Sequence, residues 1–353
     1  MSLTCSAPGK LYLFGEYGVL AGGWGVVSAV DRRVTATRRD EEGSYRARGV
    51  DGEETAFVET MLKHVDGAED WQPGQFETDA RAFFEDGRKL GLGSSAASGV
   101  ALVAAALLEE GGAEITDAER RRIFAAAEAA HRDLQGGRGS GGGLAAGSFG
   151  GVLGFRRGEA NPGFEQLNAM ERDAADRVDG FRYETVDWPD SLKVRAVWLG
   201  EPAETTSFVG AVEERRADSP GKVDALLAEI SRTAEEAIEA FDQSDVTSIV
   251  EAARRGDRAM EWLGKLCGVE VVIERHRRLR RLADNCGLAA KPSGAGGGDF
   301  SLVFGDASAG WERLAEALPV GARLFELAFG AEGLRVENEV SSLTTSHKTS
   351  PAG

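Results

Sequence analysis

The chain is poor in several features that mark whole classes of protein. Its three cysteines in 353 residues, Cys5, Cys267 and Cys286, are too few and odd in number for a disulfide framework. They read as small buried residues or incidental thiols of a reducing compartment. A basic surplus is also missing: 58 acidic against 41 basic residues leave a formal charge of −17. A field of that sign repels polyphosphate, which excludes a nucleic-acid or anionic-membrane surface. No apolar run approaches the about 18 residues that suggest a membrane span. The opening Met-Ser-Leu-Thr-Cys-Ser-Ala-Pro has neither the basic nor the apolar segment of a secretory leader. The glycines follow no G-X-Y period and bring no proline enrichment, which sets collagen and disorder aside. The expectation is a cytoplasmic globular protein, and at this length two domains rather than one.

What the chain does have is glycine, 47 residues of it, clustered at 87–99, 136–151 and 287–298. Each cluster adjoins a predicted element, as loops converging on one ligand would. In the first, Lys89-Leu90-Gly91-Leu92-Gly93-Ser94-Ser95-Ala96-Ala97 leads into an alanine-rich apolar run, which predicts a loop wrapped onto a helix N-terminus. Glycines admit close backbone approach, free N–H groups there favour an anion, and a serine can reach a phosphate or its magnesium. The spacing is not that of a Walker P-loop. The second cluster, Gln135 to Gly143, has more glycine than a linker needs and reads as a ligand-lining loop. The third, Lys291 to Phe300, can crowd backbone amides around an anion, with Asp299 capping the loop or meeting a cation.

Between these loops the pattern predicts short strands over Leu3 to Val30, punctuated by Pro8-Gly9, with further edge-like strands at Val34–Arg38 and Tyr45–Arg48. Lys10 and Glu16 flank an apolar strand, where the ordinary fate of such residues is a surface ion pair. Thr116-Asp117-Ala118-Glu119 is a capping box opening a helix, near whose end Glu128 and His131 share a face. Val223 to Phe241 is an amphipathic helix. Helices from about Asp245 to Cys267 and from Glu270 to Cys286 follow, the last stopped by Gly287. The basic run Arg275 to Arg281 reads as a solvated helical face. The expected division is 1–190 and 191–340, with a disordered tail over 341–353.

Together, Ala7-Pro8-Gly9-Lys10 with Gly15-Glu16, Gly91-Leu92-Gly93-Ser94-Ser95-Ala96, and Ser293-Gly294-Ala295-Gly296-Gly297-Gly298-Asp299 resemble the three signature motifs of the GHMP kinase superfamily, in order. Within it, Gly15-Glu16-Tyr17, Phe84 to Ala97, Ala130-His131 with Gln135-Gly136 and Gly139-Ser140-Gly141, and Leu199-Gly200 with Pro202-Ala203 and Thr205 are similar to the phosphomevalonate kinases. The resemblance implies an α+β, two-domain GHMP kinase fold: an N-terminal α/β domain with a left-handed βαβ unit, and a ferredoxin-like C-terminal domain. It implies ATP and Mg²⁺ as cofactors, and a small-molecule acceptor, mevalonate 5-phosphate or mevalonate, used by a monomer or homodimer. Lys89, Gly91, Leu92, Gly93, Ser94, Ser95 and Ala96 would then hold the nucleotide. Ser95 or Ser94, with Glu128, would meet the metal, and Lys10 and Ser95 would be catalytic. Lys10, Glu16, Tyr17, Arg138, Ser140, Ser293, Gly294, Ala295 and Gly296 would face the acceptor.

One departure stands out. Where phosphomevalonate and mevalonate kinases carry an aspartate in the middle loop, this chain has Gly143. Phosphoryl transfer depends mainly on positioning and charge stabilisation, so activity can survive that change. A mevalonate kinase, a decarboxylase on the same fold and a non-catalytic nucleotide binder are the alternatives.

Overall fold

A long antiparallel hairpin starts the chain: β1 (Ser2–Phe14) pairs with β2 (Gly25–Arg39) along almost its whole length. The separate short strands expected here are one continuous pair. Pro8-Gly9 does not interrupt β1, because the register shifts between these two residues. A bulge absorbs a residue that lacks a ladder N–H. The structure is a computed structural model describing residues 2–40, 43–49, 55–109, 114–137, 139–158, 176–178, 180–200, 205–298 and 300–337. Arg138, Asp299 and the tail expected to be disordered lie outside the described residues.

After the hairpin come β3 (Arg46–Arg48), α1 (Thr55–Lys63), β4 (Phe76–Asp79), β5 (Phe84–Glu85), β6 (Arg88–Lys89), α2 (Ser94–Leu107), α3 (Asp117–Leu134), α4 (Gly142–Phe149), β7 (Val152–Arg157), β8 (Asp176–Val178) and β9 (Phe181–Thr185). The second part holds β10 (Leu192–Trp198), α5 (Thr205–Asp218), α6 (Pro220–Asp242), α7 (Val246–Cys267), α8 (Glu274–Asn285), β11 (Ala289–Pro292), β12 (Phe300–Asp306), α9 (Trp311–Glu316), β13 (Arg323–Phe325) and β14 (Arg335–Glu337). The first sheet runs β14-β1-β2-β7-β9-β8, with β4 on β2 and β3 on β4. The second runs β11-β12-β10-β13, all antiparallel, and β5 and β6 form a separate two-stranded hairpin.

Local chemistry explains the main helices. α2 is apolar nearly all round, and Ala96 to Ala106 are buried, so it packs as a central helix on β1 and β2 with α3 and α4 beside it. α3 begins as expected: Thr116 Oγ1 accepts from the Glu119 N–H at 3.2 Å, and Glu119 Oε2 accepts from the Thr116 N–H at 2.8 Å. α6 and α7 pair along their lengths, burying Val223, Leu227, Ile230, Ala234, Ile238 and Phe241 of α6. No described helix is long and apolar enough to cross a membrane.

Two features bind the halves into one body. The main core passes from Leu13 and Phe14 through Phe241 to Leu302 and Phe304, and the Phe14 and Phe304 rings lie 5.3 Å apart. The chain also returns after the second sheet: Val30 bridges to Phe329, and β14 pairs with β1, Cys5 opposite Val336. The sheets therefore do not divide the chain at a single point near residue 190. The basic run of α8 is only in part a solvated face: Arg278 and Arg281 are exposed and pair with Glu274 of the same helix, whereas the other arginines turn inward. Arg280 meets Asp257 at 2.5 Å and Glu261 at 2.8 Å, Arg277 meets Glu261 at 3.1 Å, and Arg275 donates to the Leu199 carbonyl. Acids on α7 thus hold Arg277 and Arg280.

On α6, burial pushes the Glu235 carboxyl up to about 7, against the pull of the Ser231 hydroxyl and nearby guanidinium groups. Between the ordinary glutamate value and about 7 the folded chain holds a proton that the unfolded chain has released. Stability therefore falls as pH rises through that window. Glu235→Gln is expected to raise Tm at about pH 8 and to leave it unchanged near pH 4, followed by thermal unfolding across that range. A pH-independent difference would contradict this account.

Candidate active site

β1 delivers Lys10 and, two residues on and therefore on the same face, Tyr12. The Lys10 N–H donates to the Leu92 carbonyl at 2.8 Å, which fastens the loop before α2 to the hairpin. Gly93, at φ +79°, lets the lysine side chain lie against the loop: a methyl at Gly93 would stand 3.0 Å from Lys10 Cγ and Cε. Gly93 is also the N-cap of α2 and offers no capping side chain. The first-turn N–H groups are thus available to a ligand. Ser94 is buried, whereas Ser95 is exposed and its Oγ lies 3.3 Å from His131 Nε2. Burial holds the His131 imidazole below its usual range, against the pull of Glu128, so it is neutral at pH 7.

The middle loop forms the opposite wall. Gly141, at φ +78°, precedes α4, and the Ser140 and Tyr12 hydroxyls share a hydrogen bond. Gly143 faces Lys10: a methyl there would lie 3.6 Å from Lys10 Cγ, 4.0 Å from Cε and 3.0 Å from Ala96 Cβ. Behind the loop, Arg157 donates to the Gly139 carbonyl and pairs with Glu128, which Arg132 also approaches at 3.3 Å. Glu128 is not among the residues lining the cavity. The expectation that it serves a metal is corrected: two guanidinium groups already hold its carboxylate, which acts as a strut under the loop.

The third loop closes the site through motif one. Ser293 Oγ donates to the Tyr12 carbonyl at 2.9 Å, and the Tyr17 hydroxyl donates to the Ala295 carbonyl at 2.5 Å. Lys291 Nζ donates to Glu16 and, at 2.7 Å, to the Pro292 carbonyl. Both partners are buried, at 1% and 3% side-chain exposure, so Glu16 is engaged by Lys291 rather than joined to Lys10 at the surface. Two expected contact residues stand back from the cavity. The Leu92 side chain is buried in the core. Gly296 packs on the Val271 carbonyl, 2.2 Å from where its Cβ would be.

The loops enclose one open cavity of about 370 Å³. Lys10, Glu16, Tyr17, Lys89, Gly91, Gly93, Ser94, Ser95, Ala96, Ser140, Ser293, Gly294 and Ala295, all singled out in the sequence, line it, together with Tyr12, His131 and Gly143. Among the described lining residues Glu16 is the sole carboxylate, and Lys291 neutralises it. Lys10 and Lys89 bring two cations to this described lining. Burial pushes the Tyr12 and Tyr17 hydroxyls up, so both stay protonated. Tyr12 could have been found from the period-two step past Lys10. Arg157 left no sequence signal, because its partners Glu128 and Gly139 are distant in the chain.

No protein-family profile matches the chain. It is similar to the phosphomevalonate kinase of Streptomyces sp. (strain CL190), 29% identical over 343 residues, covering 86% of this chain and 90% of that protein. It is also similar to the phosphomevalonate kinase of Saccharolobus solfataricus, 27% identical over 321 residues, again covering 86% and 90%. Among solved structures, Streptococcus pneumoniae phosphomevalonate kinase in complex with phosphomevalonate and AMPPNP superposes with a TM-score of 0.73 at 18% identity, covering 93% of this chain and 99% of that one.

The buried Glu16–Lys291 pair gives a stability test. Lys291→Ala is expected to cost about 3–5 kcal/mol in urea unfolding, because it strands a buried carboxylate. The double variant Glu16→Gln/Lys291→Met should recover much of that loss. Equal destabilisation of the single and double variants would show that the two do not act as a pair.

Proposed function

We propose that this chain, a member of the GHMP kinase superfamily most like its phosphomevalonate kinases, transfers the γ-phosphoryl group of ATP to mevalonate 5-phosphate, giving the 5-diphosphate. The observation that carries the proposal is the meeting, in one cavity, of the uncapped α2 N-terminus, Lys10 and Lys89, with the one described lining carboxylate neutralised. Such a site suits two anionic partners brought together. The S. pneumoniae enzyme of like fold, described with phosphomevalonate and AMPPNP, supports that pairing.

On this reading the N–H groups from Gly91 to Ala96 hold the nucleotide phosphates, and Lys89 adds charge beside them. Mg²⁺ takes oxygen ligands and keeps phosphate oxygens among them. The exposed Ser95 hydroxyl fits that role, whereas Glu128, held by Arg157, does not. When bound, the ion would neutralise charge on the β- and γ-phosphates. Lys10, lying along Gly93 and facing Gly143, stabilises charge on the transferring group. Ser140, Tyr17 and the Ser293–Ala295 loop shape the acceptor side. Positioning and charge stabilisation account for most of the catalysis of phosphoryl transfer.

The test is a coupled ADP-release assay over mevalonate, its 5-phosphate and unrelated alcohols, with product identification. Turnover is expected with the 5-phosphate, and Lys10→Ala should lower kcat by about 10²–10³-fold, the scale for removing one preorganised charge-stabilising donor, with Tm preserved. No turnover with any mevalonate-type acceptor, or CO₂ release in place of a diphosphate product, would overturn the proposal.

A further inference from the structure

We infer that His131 is a positioning residue: its ring takes the hydrogen of the Ser95 hydroxyl and so turns that oxygen's lone pairs to the Mg²⁺ that accompanies the nucleotide. This role rests on the kinase reading above and concerns the nucleotide side of the same cavity. Ser95 Oγ and His131 Nε2 lie 3.3 Å apart, and both residues line the cavity. Ser95 stands in the first turn of α2 and His131 in the last turn of α3.

A hydroxyl carries one hydrogen and two lone pairs, and the hydrogen rotates to suit its neighbours. Only a lone pair can meet a cation, so a serine that serves a metal must direct its hydrogen elsewhere. An imidazole nitrogen at hydrogen-bond distance accepts that hydrogen and fixes the rotor. The orientation matters here because the described lining offers no free anionic oxygen. Glu16 is its sole carboxylate and is held by Lys291. Ser94 is buried, whereas Ser95 is exposed. Groups that stand behind a metal ligand and orient it are worth about 10–100-fold in metal affinity.

The fold holds His131 firmly in place. Buried Ala127 and Ala130 fix the rotation of α3, which packs alongside α2. The His131 carbonyl accepts from the Gln135 N–H at 3.1 Å. Almost one turn earlier, Glu128 is held by Arg157 and by Arg132, which ties this end of the helix to β7. A neutral imidazole has one accepting nitrogen; with Nε2 toward Ser95, the ring proton sits on Nδ1. The two residues of one helix face thus divide the work. Glu128 braces the helix end, and His131 orients the serine.

The experiment measures AMPPNP binding by calorimetry at pH 7, with Mg²⁺ and with EDTA, and reads the factor by which the metal tightens binding. His131→Leu is expected to cut that factor about tenfold, with Tm and the affinity in EDTA unchanged. His131→Gln, whose amide oxygen can accept the same hydrogen, should keep most of it. Ser95→Ala should lose the factor, and adding His131→Leu to it should cost nothing more. A metal factor in His131→Leu equal to that of wild type overturns the inference and leaves the kinase reading standing. Equal losses with Mg²⁺ and with EDTA also overturn it, because they mark a direct contact with the nucleotide or a purely structural role. Wild type that binds no AMPPNP under either condition removes the inference together with the kinase reading. Nitrogen NMR of isotope-labelled histidine in the wild type decides the matter even if the substituted chains fail to fold. In the Mg²⁺–AMPPNP complex Nε2 of His131 is expected to lack a proton and Nδ1 to carry it, and the opposite tautomer overturns the inference.

Discussion

The site depends on one buried ion pair, Glu16 with Lys291. Taking two charges out of water costs several kcal/mol per ion, and only close pairing with further hydrogen bonds offsets that cost. Here the lysine meets both the carboxylate and the Pro292 carbonyl, and its position fixes where β11 ends relative to the turn after β1. The Tyr17–Ala295 and Ser293–Tyr12 hydrogen bonds run alongside it, so the third glycine loop is clamped to the first strand at several points. Without that clamp the two sheets would share a core but not a defined cavity between their loops.

The same pair decides the electrostatics. The whole chain carries a formal charge of −17, and its long-range field disfavours phosphorylated ligands. Binding must then rest on short-range donors: the open end of α2, Lys10 and Lys89. Lys291 neutralises the described lining carboxylate from outside the cavity, leaving Lys10 and Lys89 as its described lining cations.

Rigidity on the far wall comes from a second strut. Arg157 holds both Glu128 and the Gly139 carbonyl, which steadies the loop that presents Ser140 and Gly143. Phosphoryl transfer is sensitive to placement, so a glycine-rich loop braced from behind offers close backbone approach without slack. Glu128 illustrates how a sequence pattern can mislead. Its place on the helix before the loop that lacks the family's aspartate suggested a metal ligand, but the helix turns that carboxylate toward a strand arginine.

Features encoded within a few neighbouring residues were legible from the chain alone. The loop-to-helix step at Gly93-Ser94, the Thr116–Glu119 capping box and the convergence implied by three glycine clusters depend on local backbone chemistry, and the structure contains them. The glycine at 143 was equally plain, as was the superfamily suggested by the motifs. Partnership was a different matter. Glu16 finds Lys291 across 275 residues, the α8 arginines find acids on α7, and β14 returns to β1. Spacing along a chain cannot reveal such pairs, because a charged side chain matches any opposite charge and a short strand matches any open edge. Packing chooses among the candidates: the shared core of Phe14, Phe241 and Phe304 brings the two sheets to one distance and one orientation, and only then do these pairings become unique.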